Sequence, residues 1–262
     1  MHSFQEMLEK RPLFYSVLIP VLAVGLLFLV KLNGTDEFAL FDWPRLLVLN
    51  GISIATIFYL YRFGWQQNSG LAQPFNAWHK KWLWATLPML ALGLLNFTAV
   101  QWGQLDWSPI RVSAWLASNL STGIFEEVLM RGFCFYLLLR AWGQTKKGVY
   151  LAAIVQALIF GVAHLGNLYH MPALDVIAQV IFATMIGFGF AGLVYMTKSL
   201  WPAIIVHSFI NGASSMNEYM QPGFEMDGGP GLAGYVFIIV LFFLLATLPG
   251  GLYLSNTSLR TV

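Results

Sequence analysis

Three ionisable side chains lie close together in a stretch of the chain that is otherwise apolar. Glu126, Glu127 and Arg131 fall within six residues, inside a run from about 109 to 140 that we predict to be one membrane-spanning helix. A charge at the centre of a bilayer costs about 2.5–3.5 kcal/mol on insertion scales. Charged groups kept at membrane depth are by default functional, so this stretch is the first candidate for a site.

Helical spacing separates the two carboxylates. Residues four apart share one face of a helix, so Glu127 can pair with Arg131. Glu126 is rotated by about 100° from Glu127, and we expect it to be the carboxylate left free for chemistry. The other strongly polar side chains at membrane depth are His164, His207 and Asn211.

These side chains suit the hydrolysis of an amide bond. A carboxylate beside a histidine can polarise a water molecule as a general base. A second histidine, together with an amide, can stabilise an oxyanion. One glutamate and two histidines could instead hold a zinc ion with one position open for water. The close-spaced zinc signature H-E-x-x-H is absent, and spacing alone leaves both alternatives open.

The composition sets the class of protein. Hydrophobic residues make up 58% of the chain and charged residues 10%, whereas soluble domains carry about 25% charged residues. We therefore predict an integral, multi-pass membrane protein. A formal net charge of +2 gives no indication of nucleic-acid binding. The single cysteine, Cys134, excludes an intrachain disulfide and a cysteine-rich metal site.

The apolar runs predict an all-α membrane protein with about eight transmembrane helices. They lie at about 13–31, 45–62, 82–100, 109–140, 149–165, 174–196, 200–216 and 232–254. We expect a single polytopic domain over 1–262, with a catalytic core at about 109–216. The polar side chains then lie on helices four, five and seven, which should enclose the active-site cavity.

The distribution of basic residues predicts the orientation. With the N-terminus inside, ten Lys and Arg residues fall in inside segments and three in outside segments. This fits the positive-inside rule and places both termini in the cytoplasm. The acidic loops around Asp36 and Glu225 would then face outside. A G-x-G-x-x-G pattern at Gly187, Gly189 and Gly192 follows no strand, so we interpret it as close helix packing.

Three spaced motifs resemble those of the CPBP intramembrane endopeptidases, also called the Abi family, which includes the type II CAAX prenyl endopeptidase. The family pattern is E-E-x-x-x-R, then F-x-x-x-H, then H-x-x-x-N or D, on three helices. In this chain the pattern is formed, in order, by Glu126, Glu127 and Arg131, by Phe160 and His164, and by His207 and Asn211. Every position of the family pattern is occupied by a matching residue in this chain.

The resemblance implies a role for each matched residue. Glu126 and His164 would activate the attacking water, while His207 and Asn211 would form the oxyanion site. Glu127 and Arg131 would hold the geometry of the carboxylates, as a structural ion pair, and Phe160 would serve in packing. Members have been described both as metalloproteases and as metal-independent glutamate-type proteases. We favour no cofactor, because the oxyanion role leaves too few ligands for zinc; a zinc ion would use Glu126, His164 and His207.

The implied function is an intramembrane endopeptidase that cuts a membrane-associated or lipidated peptide or protein. One alternative is a proton- or ion-coupled transporter, although the repeated halves with broken helices that many transporters have are not visible here. Another is a catalytically silent membrane scaffold, although such a member is expected to lose motif residues. The compact chain resembles prokaryotic members, so we expect it in a prokaryotic cell membrane, with the lipid bilayer and its substrate as partners and no nucleic acid.

Overall fold

The computed structural model describes residues 2–32, 40–224 and 228–259. Helices make up 81% of the structure, and the described residues contain no strand. This confirms the predicted all-α class. The loops around Asp36 and Glu225, whose side of the membrane was predicted above, lie outside the described residues.

Four helices precede the segment that carries the two glutamates. They are α1 (His2–Lys10), α2 (Pro12–Leu32), α3 (Trp43–Arg62) and α4 (Trp82–Asn96). The short α1 has one apolar side, on which Leu8 is fully buried and Phe4 lies 5.7 Å from Tyr59 and 5.9 Å from Phe63, ring centre to ring centre. α1 therefore packs against the end of α3.

The segment with the glutamates is helical from residue 109 to residue 142, but it is not one uniform α-helix as predicted. α5 (Pro109–Glu127) is followed by a π-helical segment (Val128–Phe135) and then by α6 (Tyr136–Trp142). The wider π turn begins directly after the second glutamate, and all of its residues are buried. π-helical turns are rare and occur frequently at functional sites.

The second half of the chain completes the bundle. Its helices are α7 (Lys146–Ala163), α8 (Ala173–Thr197), α9 (Trp201–Ser214), α10 (Met216–Met220), α11 (Gly231–Phe242) and α12 (Leu248–Asn256). A 3₁₀ helix (His164–Tyr169) follows α7, and a second π-helical segment (Phe243–Thr247) joins α11 to α12. A Cβ atom at Gly189 or Gly192 would collide with the backbone of the chain at Ala246 or Gly250, so the glycines of α8 permit close packing, as interpreted from the sequence.

Six helical segments of the described residues are long and apolar enough to cross a membrane. They are Pro12–Leu32, Trp43–Arg62, Trp82–Ala99, Lys146–Tyr169, Ala173–Thr197 and Gly231–Asn256. The chain is therefore an integral multi-pass membrane protein. The predicted number of eight spans requires two further segments. The first, 109–142, is interrupted by charged residues. The second, α9, has 14 residues and is about 21 Å long, which is shorter than the ~30 Å hydrocarbon core.

Candidate active site

The predicted pair between Glu127 and Arg131 is present and fully buried. Nη1 of Arg131 donates to Oε1 of Glu127 at 2.8 Å, and both side chains have no exposed surface. The guanidinium carbon lies 4.5 Å from the ring centre of Phe160 and 5.3 Å from that of Phe190. Two aromatic rings thus replace water around this cation, and cation–π contacts of this kind are strongest where water is excluded.

His207 joins both glutamates, which the sequence did not predict. Its Nδ1 lies 2.7 Å from Oε1 of Glu127, and its Nε2 lies 3.2 Å from Oε2 of Glu126. An ionised carboxylate only accepts hydrogen bonds, so Nδ1–H donates to Glu127 and Nε2 faces Glu126. Glu126, which was predicted to be the carboxylate left free for chemistry, therefore also has a histidine partner. Its side chain is nevertheless 20% exposed, whereas that of Glu127 is fully buried.

A glycine on α5 brings α9 close enough for these contacts. A Cβ atom at Gly123 would overlap the hydroxyl of Ser208 on α9. Gly123 lies one helical turn before Glu127, and Ser208 is the neighbour of His207 in the chain. The missing side chain therefore allows the imidazole to reach the carboxylates on the facing helix.

His164 lies at the end of α7, where the α-helix changes into the 3₁₀ helix. Its Nδ1 is 2.9 Å from the main-chain oxygen of Phe160, one turn earlier. The ring of Phe160 packs edge-on against His164 at 5.0 Å and against His207 at 6.1 Å. Within the described part of the chain His164 forms no ion pair with Glu126. The two side chains that were predicted to share a water molecule are thus not in direct contact.

Asn211 lies on α9 one turn beyond His207. Its main-chain oxygen accepts a hydrogen bond from the amide of Ser215 at 2.9 Å. The side-chain amide forms no hydrogen bond with the residues that the structure describes, and it is only half-buried. Its nitrogen is thus available to donate to a ligand, and its role at an oxyanion stays a prediction.

The three side chains considered for zinc are not grouped as a metal site among the described residues. Both ring nitrogens of His207 lie against carboxylates, and Nδ1 of His164 lies against a main-chain oxygen. Among the described residues, no group of three His, Cys, Asp or Glu side chains is placed to hold a metal ion. The arrangement of Glu126, His164 and His207 therefore does not fit a zinc site.

Sequence reasoning missed one buried amide behind the ion pair. Nε2 of Gln156 on α7 donates to the main-chain oxygen of Gly187 on α8 at 2.9 Å. A Cβ atom at Gly187 would lie 3.3 Å from Nη2 of Arg131. Gln156 thus fixes the part of α8 against which the arginine packs. Its only signal in the sequence was its position one turn before Phe160, which is itself one turn before His164.

The ion pair is surrounded by polar atoms that could bind water. Five buried atoms have no hydrogen-bond partner among the described protein groups: Oε2 of Glu127, Nε and Nη2 of Arg131, Oε1 of Gln156 and Oγ of Ser208. Buried polar atoms in proteins are almost always paired with protein or with ordered water. The set contains both donors and acceptors, so single water molecules can bridge between its members.

An apolar groove lies beside the end of α7. A cavity of about 440 Å³ lies between α2 and α7. It is lined by Val17, Pro20, Val21, Val24, Leu158, Ile159, Val162, Ala163 and Gly166. Ala163 directly precedes His164 in the chain, but His164 itself does not line this groove.

Comparison with known proteins finds a family that is similar to the central part of the chain. Residues 107–213 match the family described as "Rce1-like: Type II CAAX prenyl endopeptidase Rce1-like". This range holds all three motifs. No curated protein and no solved structure matches the chain. The segment that carries the buried glutamates and histidines is therefore similar to the type II CAAX prenyl endopeptidases.

Proposed function

We propose that this chain is an intramembrane endopeptidase that hydrolyses a peptide bond in a membrane-associated or lipidated substrate. The family is one of proteases that act on prenylated proteins. The observation that carries the proposal is the imidazole of His207 held between Glu126 and Glu127 inside the matched segment. A carboxylate that is partly exposed and contacts a histidine is equipped to move a proton.

In the proposed reaction, Glu126 takes a proton from a water molecule that His164 holds from the other side. The resulting hydroxide attacks the carbonyl carbon of the scissile bond. His207 and Asn211 donate hydrogen bonds to the oxyanion that forms. The proton on Glu126 then passes to the leaving nitrogen as the carbon–nitrogen bond breaks. Glu127 keeps the ring of His207 in one orientation, and Arg131 balances the charge of Glu127.

The reaction is proposed to be independent of metal. The positions of the candidate ligands support this, because no three His, Cys, Asp or Glu side chains of the described residues are grouped so that they could hold a metal ion. Purified protein should retain full cleavage activity after treatment with a strong zinc chelator. Loss of activity on chelation, with recovery on adding zinc, would contradict this part of the proposal.

The proposed topology has eight spans, both termini in the cytoplasm, and a prokaryotic cell membrane as its location. The segments 109–142 and α9 would enter the membrane because other helices surround them. Single cysteines test this, because Cys134 is fully buried. An impermeant thiol reagent should label Gln104→Cys from outside intact cells, and should label Gln144→Cys only after the membrane is opened.

Peptide cleavage in liposomes tests the activity itself. Because general acid–base groups contribute about 10²–10⁴-fold to rates, we expect Glu126→Gln and His164→Ala each to lose at least 100-fold in kcat. Products identified by mass should show one cut site. Asn50→Ala provides a matched control, since the Asn50 amide bonds α3 to Ser121 of α5 without contacting the glutamates. Full cleavage by both site variants would show that the site is wrong.

A further inference from the structure

The polar site continues along α5 from the glutamates towards Pro109. Ser118, Thr122 and Glu126 follow each other at intervals of four residues, so they lie along one side of the helix. Arg45 of α3 reaches this row, where Nη1 donates to Oγ of Ser118 and Nη2 donates to Oγ1 of Thr122, both at 3.0 Å. The hydroxyl of Tyr219 on α10 donates to the same Ser118 oxygen at 2.6 Å. Three helices thus form a polar row that ends at the candidate base.

Arg45 forms no direct ion pair in this row. Its guanidinium contacts two neutral hydroxyls. Glu218 on α10 interacts with Arg45 electrostatically, but no carboxylate of the described residues lies within ion-pair distance of the guanidinium. The side chain of Asp42 accepts from the main-chain amide of Arg45, not from its guanidinium. Arg45 is half-buried, and a cation partly removed from water is stabilised by an anionic partner. The other arginines that flank the site segment differ, because Arg111 pairs with Asp106 and Arg140 pairs with Glu9.

The distance along α5 between Glu126 and the residues that contact Arg45 can be converted into a number of peptide residues. A helix rises about 1.5 Å per residue, so Thr122 and Ser118 lie about 6 and 12 Å from Glu126 along the axis. An extended peptide advances about 3.3 Å per residue. A peptide whose scissile bond is at Glu126 would therefore reach Arg45 with a group about two to four residues further along.

We infer that Arg45 is a substrate-binding residue that takes a carboxylate of the peptide about two to four residues beyond the scissile bond. The inference rests on the proposed function, because it assumes that Glu126 marks the cleavage point. The planar guanidinium suits a carboxylate, since its parallel N–H groups match the two oxygens. Ser118 and Thr122 orient the guanidinium. The carboxylate can come from the C-terminus of a peptide or from an acidic side chain near that end.

Three peptides of one length test the inference and separate the two sources. Each carries a fluorescent label, an S-farnesyl cysteine and three further residues. The first peptide ends in a free carboxylate, the second in an amide, and the third in an amide with Asp as its last residue. Binding to protein in nanodiscs is measured by fluorescence anisotropy in a Glu126→Gln background, so that the peptides remain intact.

With Arg45 present, we expect the free-carboxylate peptide to bind at least tenfold more tightly than the amide. Arg45→Gln should remove this difference, Arg45→Lys should retain part of it, and Arg140→Gln should leave it unchanged. Binding of the third peptide as tightly as the first would show that any carboxylate at this position suffices. If the third peptide binds as weakly as the second, the site recognises only the carboxylate at the C-terminus of the peptide. Because each variant is compared on paired peptides, partial misfolding lowers both affinities and leaves their ratio intact.

Equal binding of the first two peptides to protein with Arg45 would overturn the inference, as would a difference that survives Arg45→Gln. Cleavage by the protein with Glu126 intact is measured separately. There Arg45→Gln should raise KM for the free-carboxylate peptide about tenfold and leave kcat unchanged. If no peptide is cut but the binding difference depends on Arg45, the proposed function fails and the anion site stands.

Discussion

Two arginine–carboxylate pairs lie on the same helical segment in opposite surroundings. Asp106 and Arg111 pair at 3.1 Å at its beginning, with 43% and 19% of their side chains exposed. Glu127 and Arg131 pair at 2.8 Å in its middle, with nothing exposed. Twenty residues of helix, about 30 Å, separate the two arginines. Water stabilises the charges of the first pair, whereas the second depends on what the protein places around it.

The surroundings of the buried pair explain why the site needs so many helices. Arg131 is enclosed by Phe160 of α7 and Phe190 of α8, and Glu127 also accepts from His207 of α9. The outer faces of the apolar spans have no such demand, and they expose large side chains such as Leu22 and Leu151. α7 combines both, because Phe160 contacts Arg131 while Leu151 is exposed.

Breaking the buried pair should have the largest effect on stability. Arg131→Met leaves the carboxylate of Glu127 buried without its cation, and loss of one partner of a buried pair costs about 3–5 kcal/mol. Chemical unfolding in detergent should show this loss. The double variant Arg131→Met/Glu127→Leu should lose less than the single variant, because no lone charge remains. A single variant as stable as Leu151→Ala, which alters a lipid-facing side chain, would contradict the importance of the pair.

The next largest effect concerns catalysis rather than stability. Glu127→Gln keeps the size of the side chain but removes the anion that accepts from Nδ1 of His207. The ring is then held by a weaker, uncharged acceptor, so its orientation is less fixed, and we expect kcat to fall about 100-fold with KM unchanged. The pH dependence of kcat should also change shape, which a purely structural defect would not cause. Unchanged kcat and pH profile would mean that His207 is oriented by other contacts.

The sequence predicted features that depend on a single helix. Apolar runs located the spans, and spacing of four identified the pair of Glu127 and Arg131. Contacts between helices depend on the rotation of each helix about its axis, which one sequence does not specify. That is why the bridge from His207 to both glutamates was missed. The π-helical segment was also missed, because no residue type marks it in the sequence. Its wider turn changes the rotation of all later residues of the helix.

The close packing behind Arg131 should give a moderate effect. A Cβ atom in Gly187→Ala would lie 3.2 Å from Cδ1 of Phe160 and 3.3 Å from Nη2 of Arg131. Overpacking of this kind costs about 1–3 kcal/mol, and it should displace the guanidinium from Glu127. Unfolding and kcat should therefore both be affected.

A glycine of α3 provides the matched control. A Cβ atom at Gly51 would meet nothing within 4 Å, and replacing glycine by alanine inside a helix stabilises by about 0.5–1 kcal/mol. Gly51→Ala should thus be neutral or stabilising and fully active. Gln156→Leu, which removes the hydrogen bond to Gly187, should resemble Gly187→Ala in its effect on kcat. If Gly187→Ala behaves like Gly51→Ala, the packing of α8 does not position the arginine.

The exposed pair should give the smallest effect, and its pH dependence has a definite sign. The pKa of Asp106 lies below its ordinary value of 3.8, chiefly because the main-chain amide of Ser108 donates to the carboxylate. A lowered pKa in the folded state gives stability that is complete above pH 3.8 and is lost as the pH falls through the lowered value. Above pH 3.8, the amide hydrogen of Ser108 should therefore exchange faster in Asp106→Asn than in the parent protein. Below the lowered pKa of Asp106, the two proteins should exchange this hydrogen at the same rate. Because solvent screens this pair, global unfolding should not change measurably. A loss of stability as large as that of Arg131→Met would show that exposure to water does not separate the two pairs.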